Sequence, residues 1–266
     1  MSNKIIILIP HYNNIKGLCK SLSSIKYNDG LDVLIVDDGS DIKVNISELY
    51  KLSDSIRKIY LIEFQKNKGI EHALNAGLLK IKDMAEHEYV ARLDCGDIVL
   101  GDRFYLQCDY LEHHPNVYLI GSWVKFIDSN GNHMFSLKYP TQHNIIKNRM
   151  YIANMFIHPS VMFRLSSIDK IGYYSIEYKY AEDYDYFFKF VNQFETANLP
   201  YYLVACEYNP AGISISKRNK QLKSRITIII KYYRPSIYWI YGFLRNLIVY
   251  MVPYSLISFV KRIFFK

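Results

Sequence analysis

The 266 residues, half of them hydrophobic and 15% aromatic, are enough for one large domain with a buried core and exclude wholesale disorder. The four cysteines (Cys19, Cys95, Cys108 and Cys206) are scattered without a CxxC pair, which argues against a zinc site or a disulfide framework and fits a reducing cytoplasm. The net charge of +8 is unevenly placed: eleven of the 33 basic residues and none of the 25 acidic ones follow Glu207, so residues 1–207 hold 22 basic against 25 acidic side chains, net −3.

The apolar run in MSNKIIILIPHYNN is shorter than the roughly 7–15 residues of a secretory core, so residues 4–9 predict a first buried strand ended by Pro10. GLCKSLSSI (17–25) places Leu18, Leu22 and Ile25 on one helical face. LDVLIVDDGS (31–40) predicts a second strand breaking into a polar turn, and RKIYLIEF (57–64) a third. In 69–85, Ile70, Ala73, Leu74, Gly77, Leu78 and Ile81 form the stripe of a helix entered through Gly69. EYVARLD (88–94) predicts a fourth strand, 103–115 a helix stopped by Pro115, and 117–128 a strand closed by the SNGN turn. IHPSVMFR (157–164) predicts another strand, and 181–194 a helix with acids at its amino end.

Strand alternating with helix at this pitch predicts an α/β fold with a mostly parallel central sheet flanked by helices. Ligands of such sheets bind beyond the carboxyl ends of the strands. PHYNN, DDGS and DCGD each follow a strand, so these polar clusters are expected to converge on one edge.

Asp94 and Asp97, three residues apart in ARLDCGD, invite a hard divalent cation or a substrate hydroxyl; an Asp-capped turn with Gly96 at positive φ accounts for the same residues without a ligand. Arg92 either meets an anion or pairs with Asp94. In DDGS, Asp37 and Asp38 suit both capping and binding. Asn67, Gly69, Glu71 and Asn75 surround a helix amino end, where backbone amides favour anions. His158 is either a hydrogen-bonded structural residue or a neighbour of the ligand. Lys217 and Arg218, in GISISKRNK (212–220), are either a basic lid or a solvated linker.

Seven stretches in this order and spacing, IPHYNN, VDDGS, NKGIEHALNAGL, ARLDCGDI, GDRFYLQCDYLEHHPNVYLIGS, HPSVMFR and YAEDYDYFFKF, resemble the family 2 glycosyltransferases of the GT-A fold. The resemblance covers roughly residues 4–215. It implies transfer of one sugar, with inversion, from a UDP-, dTDP- or GDP-sugar to a lipid-linked saccharide in surface polysaccharide synthesis; the QxxRW motif of processive synthases is absent. It implies that Pro10, Tyr12 and Asn13 hold the nucleotide base with Asp38. It implies that Asp94 or Asp97 holds Mn or Mg, although family members usually carry an acid where Gly96 stands. It makes Asp183 the general base and Glu182 its support. A helix amino end lowers a carboxylate pKa, so Asp183 is expected to work by position more than by basicity.

The last stretch, SIYWIYGFLRNLIVYMVPYSLISFVKRIFFK (236–266), is apolar, aromatic and edged by bases. Arg245, Asn246 and Pro253 interrupt it, so two short interfacial helices are expected rather than a span. The expected division is a glycosyltransferase domain over 1–220 and a helical appendage over 221–266, which attaches the protein to the cytoplasmic face of the membrane or packs on the body or a second subunit. Nucleic-acid binding is disfavoured by the long aliphatic runs. The competing functions are a sugar-nucleotide nucleotidyltransferase and a catalytically degenerate sugar-nucleotide-binding scaffold.

Overall fold

The computed structural model describes residues 4–208 and 217–252. Its elements run β1 (Ile5–His11), α1 (Ile15–Ser23), β2 (Leu31–Asp37), α2 (Ile46–Leu49), β3 (Ile56–Glu63), α3 (Ile70–Met84), β4 (Tyr89–Arg92), β5 (Ile98–Val99) and α4 (Arg103–His113). They continue with β6 (Val117–Ile127), β7 (His133–Leu137), α5 (His143–Arg149), β8 (Met162–Arg164), α6 (Ile168–Ile171), α7 (Glu182–Gln193), β9 (Glu195–Glu207), α8 (Arg218–Lys231) and α9 (Ile237–Met251).

One sheet organises the described residues, in the order β3-β2-β1-β4-β8-β6-β9-β5, with β7 against β6. The first four strands are parallel. From β4 onward the sheet is mixed: β8 runs antiparallel to β4 and β6, β9 parallel to β6, and β5 antiparallel to β9. The continuous apolar runs of β1 and β2 are buried on both faces, as central parallel strands require. Alternate residues divide between two cores: Ile6, Leu8, Leu34 and Val36 pack with α3 and α7, while Ile5, Ile7, Ile9, Val33 and Ile35 pack with α1 and α4.

Two elements differ from the expectation for physical reasons. In 157–164 only Met162–Arg164 joins the sheet; His158–Ser160 is a 3-10 turn, because Pro159 has no N–H to give a ladder. β9 reads poorly as a strand because Pro200 interrupts it. The chain accommodates the proline in an irregularity, pairing Leu199 with Ser122 and Tyr202 with Trp123.

The carboxy-terminal helices form an antiparallel hairpin. Trp239 Nε1 donates to Ile229 O at 2.9 Å, and Arg218 Nη2 to Val249 O at 2.6 Å. The expected boundary at 220/221 falls inside α8. Arg245 and Asn246 do not break α9, since Arg245 Nη1 donates to Ile152 O (3.0 Å) and Asn246 Nδ2 to Gly242 O (2.7 Å) and Tyr151 O (3.3 Å). Gly242 permits this docking: a Cβ there would lie 2.3 Å from Tyr151 O. No helix among the described residues is long and apolar enough to cross a membrane. Residues 253–266, the second half of the expected interfacial segment, lie outside the described residues.

Candidate functional site

The carboxyl ends of β1, β2 and β4 and the amino ends of α3 and α7 surround one cavity of about 700 Å³. Pro10, His11 and Tyr12 line it from β1, with the Tyr12 ring half exposed, as stacking on a planar base requires. Behind them His11 Nδ1 donates to Asp37 Oδ1 at 2.9 Å, and His11 Nε2 accepts from the Asn14 amide at 3.3 Å. Ser40 Oγ donates to the same Asp37 oxygen. Asp37 is therefore a fully buried tie between the first two loops, and the ligand-facing acid of the pair is Asp38. Asp38 accepts from the Lys68 and Gly69 amides at 2.7 and 2.9 Å, which leaves each oxygen lone-pair capacity for a further donor.

Asn13 is not among the residues lining the cavity. Its amide donates to Ser40 Oγ at 2.8 Å, and its side chain exchanges bonds with Asp41 at 3.0 and 2.9 Å. Asn75 is likewise structural in this geometry: it donates to Tyr174 O at 2.9 Å and accepts from Tyr174 N at 2.8 Å. Asn67, Gly69 and Glu71 do line the cavity, together with Lys68, a cation beside the helix amino end that no spacing distinguishes.

The DCGD turn resolves into two unlike acids. Asp94 lines the cavity with about a third of its side chain exposed, and its Oδ1 accepts from Arg92 Nη2 at 2.6 Å. Arg92 is fully buried and also donates to Leu8 O and to His158 Nε2 (3.3 Å), so it orients Asp94 and is not itself part of the cavity wall. Asp97 turns the other way. It is buried, accepts from the Glu207 amide at 2.9 Å, and is held well above the usual carboxylate range by burial and by Asp94. The expectation that Asp97 supplies a cation ligand does not fit this geometry, because its buried carboxyl is bonded toward β9 and is not among the residues lining the cavity.

Gly96 has φ +104, and its amide donates to Gly17 O (3.1 Å) and Ser21 Oγ (3.0 Å), binding the turn to α1. A Cβ at this position would point toward Glu207, 3.5 Å from Oε2. Asp94 Oδ2 is thus the turn's remaining free-facing carboxylate oxygen. A hard cation accepts such an arrangement when diphosphate oxygens and water complete its shell. The three acids and histidines that do cluster among the described residues, Asp32, Glu86 and His87, lie at the opposite end of β2, where Arg57 (3.1 Å) and His87 (3.0 Å) already engage Asp32.

Across the cavity α7 begins with Glu182 and Asp183. Asp183 Oδ1 accepts from the Tyr184 amide at 2.7 Å and Oδ2 from Asn154 Nδ2 at 2.9 Å, which fixes both oxygens. Its pKa is raised by burial, which outweighs the Tyr184 amide and the nearby Arg225 charge, so the expected lowering by the helix amino end is overridden. Glu182 is pushed up to about 8, by burial first and by Asp183 second, and its Oε2 is buried with no partner among the described residues. A carboxyl kept neutral there can donate to a substrate oxygen. His158, held neutral by burial and by Arg92, lines the cavity and meets Tyr174 OH at 2.9 Å.

The last wall comes from Tyr180, at the start of the YAEDYDYFFKF stretch, and from two residues that no motif marked, Lys179 and Gln221. Lys179 and Tyr180 line the cavity, Tyr180 with φ +66, and Gln221 of α8 donates to Tyr180 O at 2.9 Å. Lys217 precedes α8 outside the cavity lining, and Arg218 is bonded to α9. The start of the expected basic lid, 212–216, lies outside the described residues. Gln221 carries no sequence signal of its own, since only the docking of α8 brings it here.

The sequence model of Glycosyl transferase family 2 matches residues 6–172. The chain belongs to this family. It is a glycosyltransferase, and its similarities extend beyond the matched segment. The amylovoran biosynthesis glycosyltransferase AmsE of Erwinia amylovora is 30% identical over 200 residues, 73% of this chain and 72% of that one. A UDP-Gal:alpha-D-GlcNAc-diphosphoundecaprenol beta-1,3-galactosyltransferase of Escherichia coli is 35% identical over 175 residues, 63% of this chain and 59% of that one. Among solved structures, S. aureus TarS 1–349 in complex with UDP superposes with a TM-score of 0.66 at 17% identity, covering 92% of this chain and 70% of that one. The mannosyltransferase PcManGT of Pyrobaculum calidifontis, in complex with GDP-Man and Mn2+, gives 0.61 at 14% identity, covering 92% and 69%. The mixed sheet with its flanking helices is the GT-A fold.

Proposed function

We propose that this glycosyltransferase moves one sugar, with inversion, from a nucleoside-diphosphate sugar to a lipid-linked saccharide at the cytoplasmic face of the membrane, during surface polysaccharide synthesis. The observation that carries the reading is that Tyr12, Asp38, Asp94, Glu182 and Asp183 line one cavity. Its volume of about 700 Å³ lies within the range of small-molecule sites. The relatives' roles in amylovoran biosynthesis and in galactosyl transfer to a diphosphoundecaprenol-linked sugar support the acceptor class.

In this reading Tyr12 stacks on the base, Asp38 accepts from it, and Lys68 and Lys179 lie within the same walls to offset diphosphate charge. A divalent cation, Mn or Mg, when held by Asp94, would neutralise charge on the departing diphosphate. Asp183 takes the proton of the acceptor hydroxyl. The hydroxyl oxygen bonds to the anomeric carbon as the bond from that carbon to the diphosphate oxygen breaks, and the nucleoside diphosphate leaves with the bonding pair. Burial raises the basicity of Asp183, and its bonds to Tyr184 and Asn154 hold it in place.

Asp183→Asn tests the assignment. Donor binding is expected to persist while transfer falls by about 10²–10⁴-fold, the usual contribution of a positioned base. Unchanged transfer would remove Asp183 from the mechanism.

A further inference from the structure

The outer face of α9 plays no part in the transfer site. Ile237, Ile240, Tyr241, Leu244, Ile248 and Met251 recur at spacings of three or four residues and so form one stripe along the helix. Each is between 49% and 73% exposed. On the opposite side Gly242 and Asn246 are buried against Tyr151, so the hairpin presents one packed face and one bare apolar face. A contiguous exposed patch of this kind marks an interaction surface.

The surrounding charge selects the occupant. Lys220, Lys223 and Arg234 are exposed on the hairpin, and no acidic residue occurs from Tyr208 to Lys266. A second copy meeting this face across a two-fold axis would bring like charge against like charge. A bilayer with anionic headgroups would instead compensate it while taking up the apolar stripe. Tyr233, Tyr241 and Tyr250, all exposed, have the apolar ring and polar tip that suit a headgroup boundary. The sequence that follows α9, PYSLISFVKRIFFK, keeps the same composition, apolar with Lys261, Arg262 and Lys266.

The hairpin also ties the wall of the cavity to α9. Gln221 lines the cavity, and Arg218, about one helical turn earlier, reaches Val249 O near the Ile248–Met251 end of the stripe. We propose that α9 lies in the surface of an anionic bilayer through Ile237, Ile240, Tyr241, Leu244, Ile248 and Met251, with the transfer cavity held at the headgroups. The proposal deepens the reading of a lipid-linked acceptor and rests on it for its purpose.

The test is flotation of the full chain with phosphatidylcholine vesicles, with and without phosphatidylglycerol, in the absence of any substrate. The wild-type chain is expected to float with the anionic vesicles and to be released by salt. The double substitution Ile240→Glu, Leu244→Glu is expected to lower the bound fraction by about tenfold or more, with the circular dichroism and the donor-induced thermal shift unchanged. Three results would overturn the proposal. One is a wild-type chain that stays with the soluble fraction. Another is a double variant that floats like wild type, which would place the attachment in residues 253–266. The third is a wild-type dimer in sedimentation that the double substitution dissolves, without lipid binding. Asp183→Asn is expected to float normally while losing transfer, and a wild-type chain that floats but transfers no sugar would count against the transfer reading alone.

Discussion

Lys231 Nζ lies 2.8 Å from Asp185 Oδ1, and this pair joins the carboxy-terminal hairpin to the helix that carries Glu182 and Asp183. Asp185 is fully buried, and Tyr232 OH donates to the same oxygen at 3.1 Å while Lys189 stands 3.8 Å from the other. Gln221 and Ser224 add bonds to Tyr180 O and Lys179 O, so α8 braces the loop leading into α7. The hairpin is thus part of the frame of the site as well as an appendage.

Removing either partner is expected to destabilise the chain unequally. Lys231 is more than a third exposed, so its pairing is screened, and Lys231→Met is expected to cost about 1–2 kcal/mol. Asp185→Ala leaves two lysines facing a buried site and is expected to cost about 3 kcal/mol or more. Urea melts of the two variants check the order; equal and negligible losses would mean that the brace contributes nothing.

The two acids of the DCGD turn are expected to separate in a cation assay. Asp94→Asn is expected to lower Mn-assisted nucleotide binding by about tenfold or more, since its carboxylate faces the cavity. Asp97→Asn is expected to keep that cation response, because Asp97 is buried away from the cavity and bonded to the Glu207 amide. Calorimetric titration of UDP with and without Mn distinguishes them. The reverse outcome would show that the turn rearranges on binding.

Glu182 gives a pH signature. Its pKa is raised from the ordinary 4.5 to about 8 by burial and by Asp183. A carboxyl raised on folding stabilises the protein below its unfolded pKa, and that contribution is lost as pH rises through the folded value. Wild-type stability is therefore expected to decline between about 4.5 and about 8 relative to Glu182→Gln, whose amide does not titrate. Thermal melts across this window are expected to show the Gln variant gaining at least ~2 °C over wild type toward the alkaline end. A pH-independent difference would mean that Glu182 ionises normally.

Much of this frame is legible in sequence because burial leaves periodic marks. The strands ending at PHYNN, DDGS and DCGD, and the helices opening at Gly69 and Glu182, lie within a few residues of where apolar spacing puts them. Their polar ends converge because parallel strands share a direction. What spacing could not show was orientation. Asp94 and Asp97 look alike in sequence, yet backbone geometry at Gly96 turns one to the cavity and the other to β9. Asn13 and Asn75 sit within motif stretches but spend their hydrogen bonds on neighbouring loops. Gln221 reaches Tyr180 O, and Ser224 reaches Lys179 O, only through tertiary docking of α8, and β9 was hidden by a proline that its irregular pairing absorbs.

Gly96 allows that contrast to be tested by supplying the acid that the family pattern usually has. Gly96→Asp puts a side chain at φ +104, a conformation that costs a non-glycine residue about 1–3 kcal/mol. The new Cβ would also face Glu207, which already pairs with Lys20 at 2.8 Å, so the added carboxylate brings like charge to an occupied ion pair. The variant is expected to lose about 1–3 kcal/mol in urea melts and to gain no affinity for Mn. If it instead bound Mn about tenfold more tightly with stability intact, the turn would have to reorient toward the cavity, and Asp94 would no longer be the turn's one cation-facing acid.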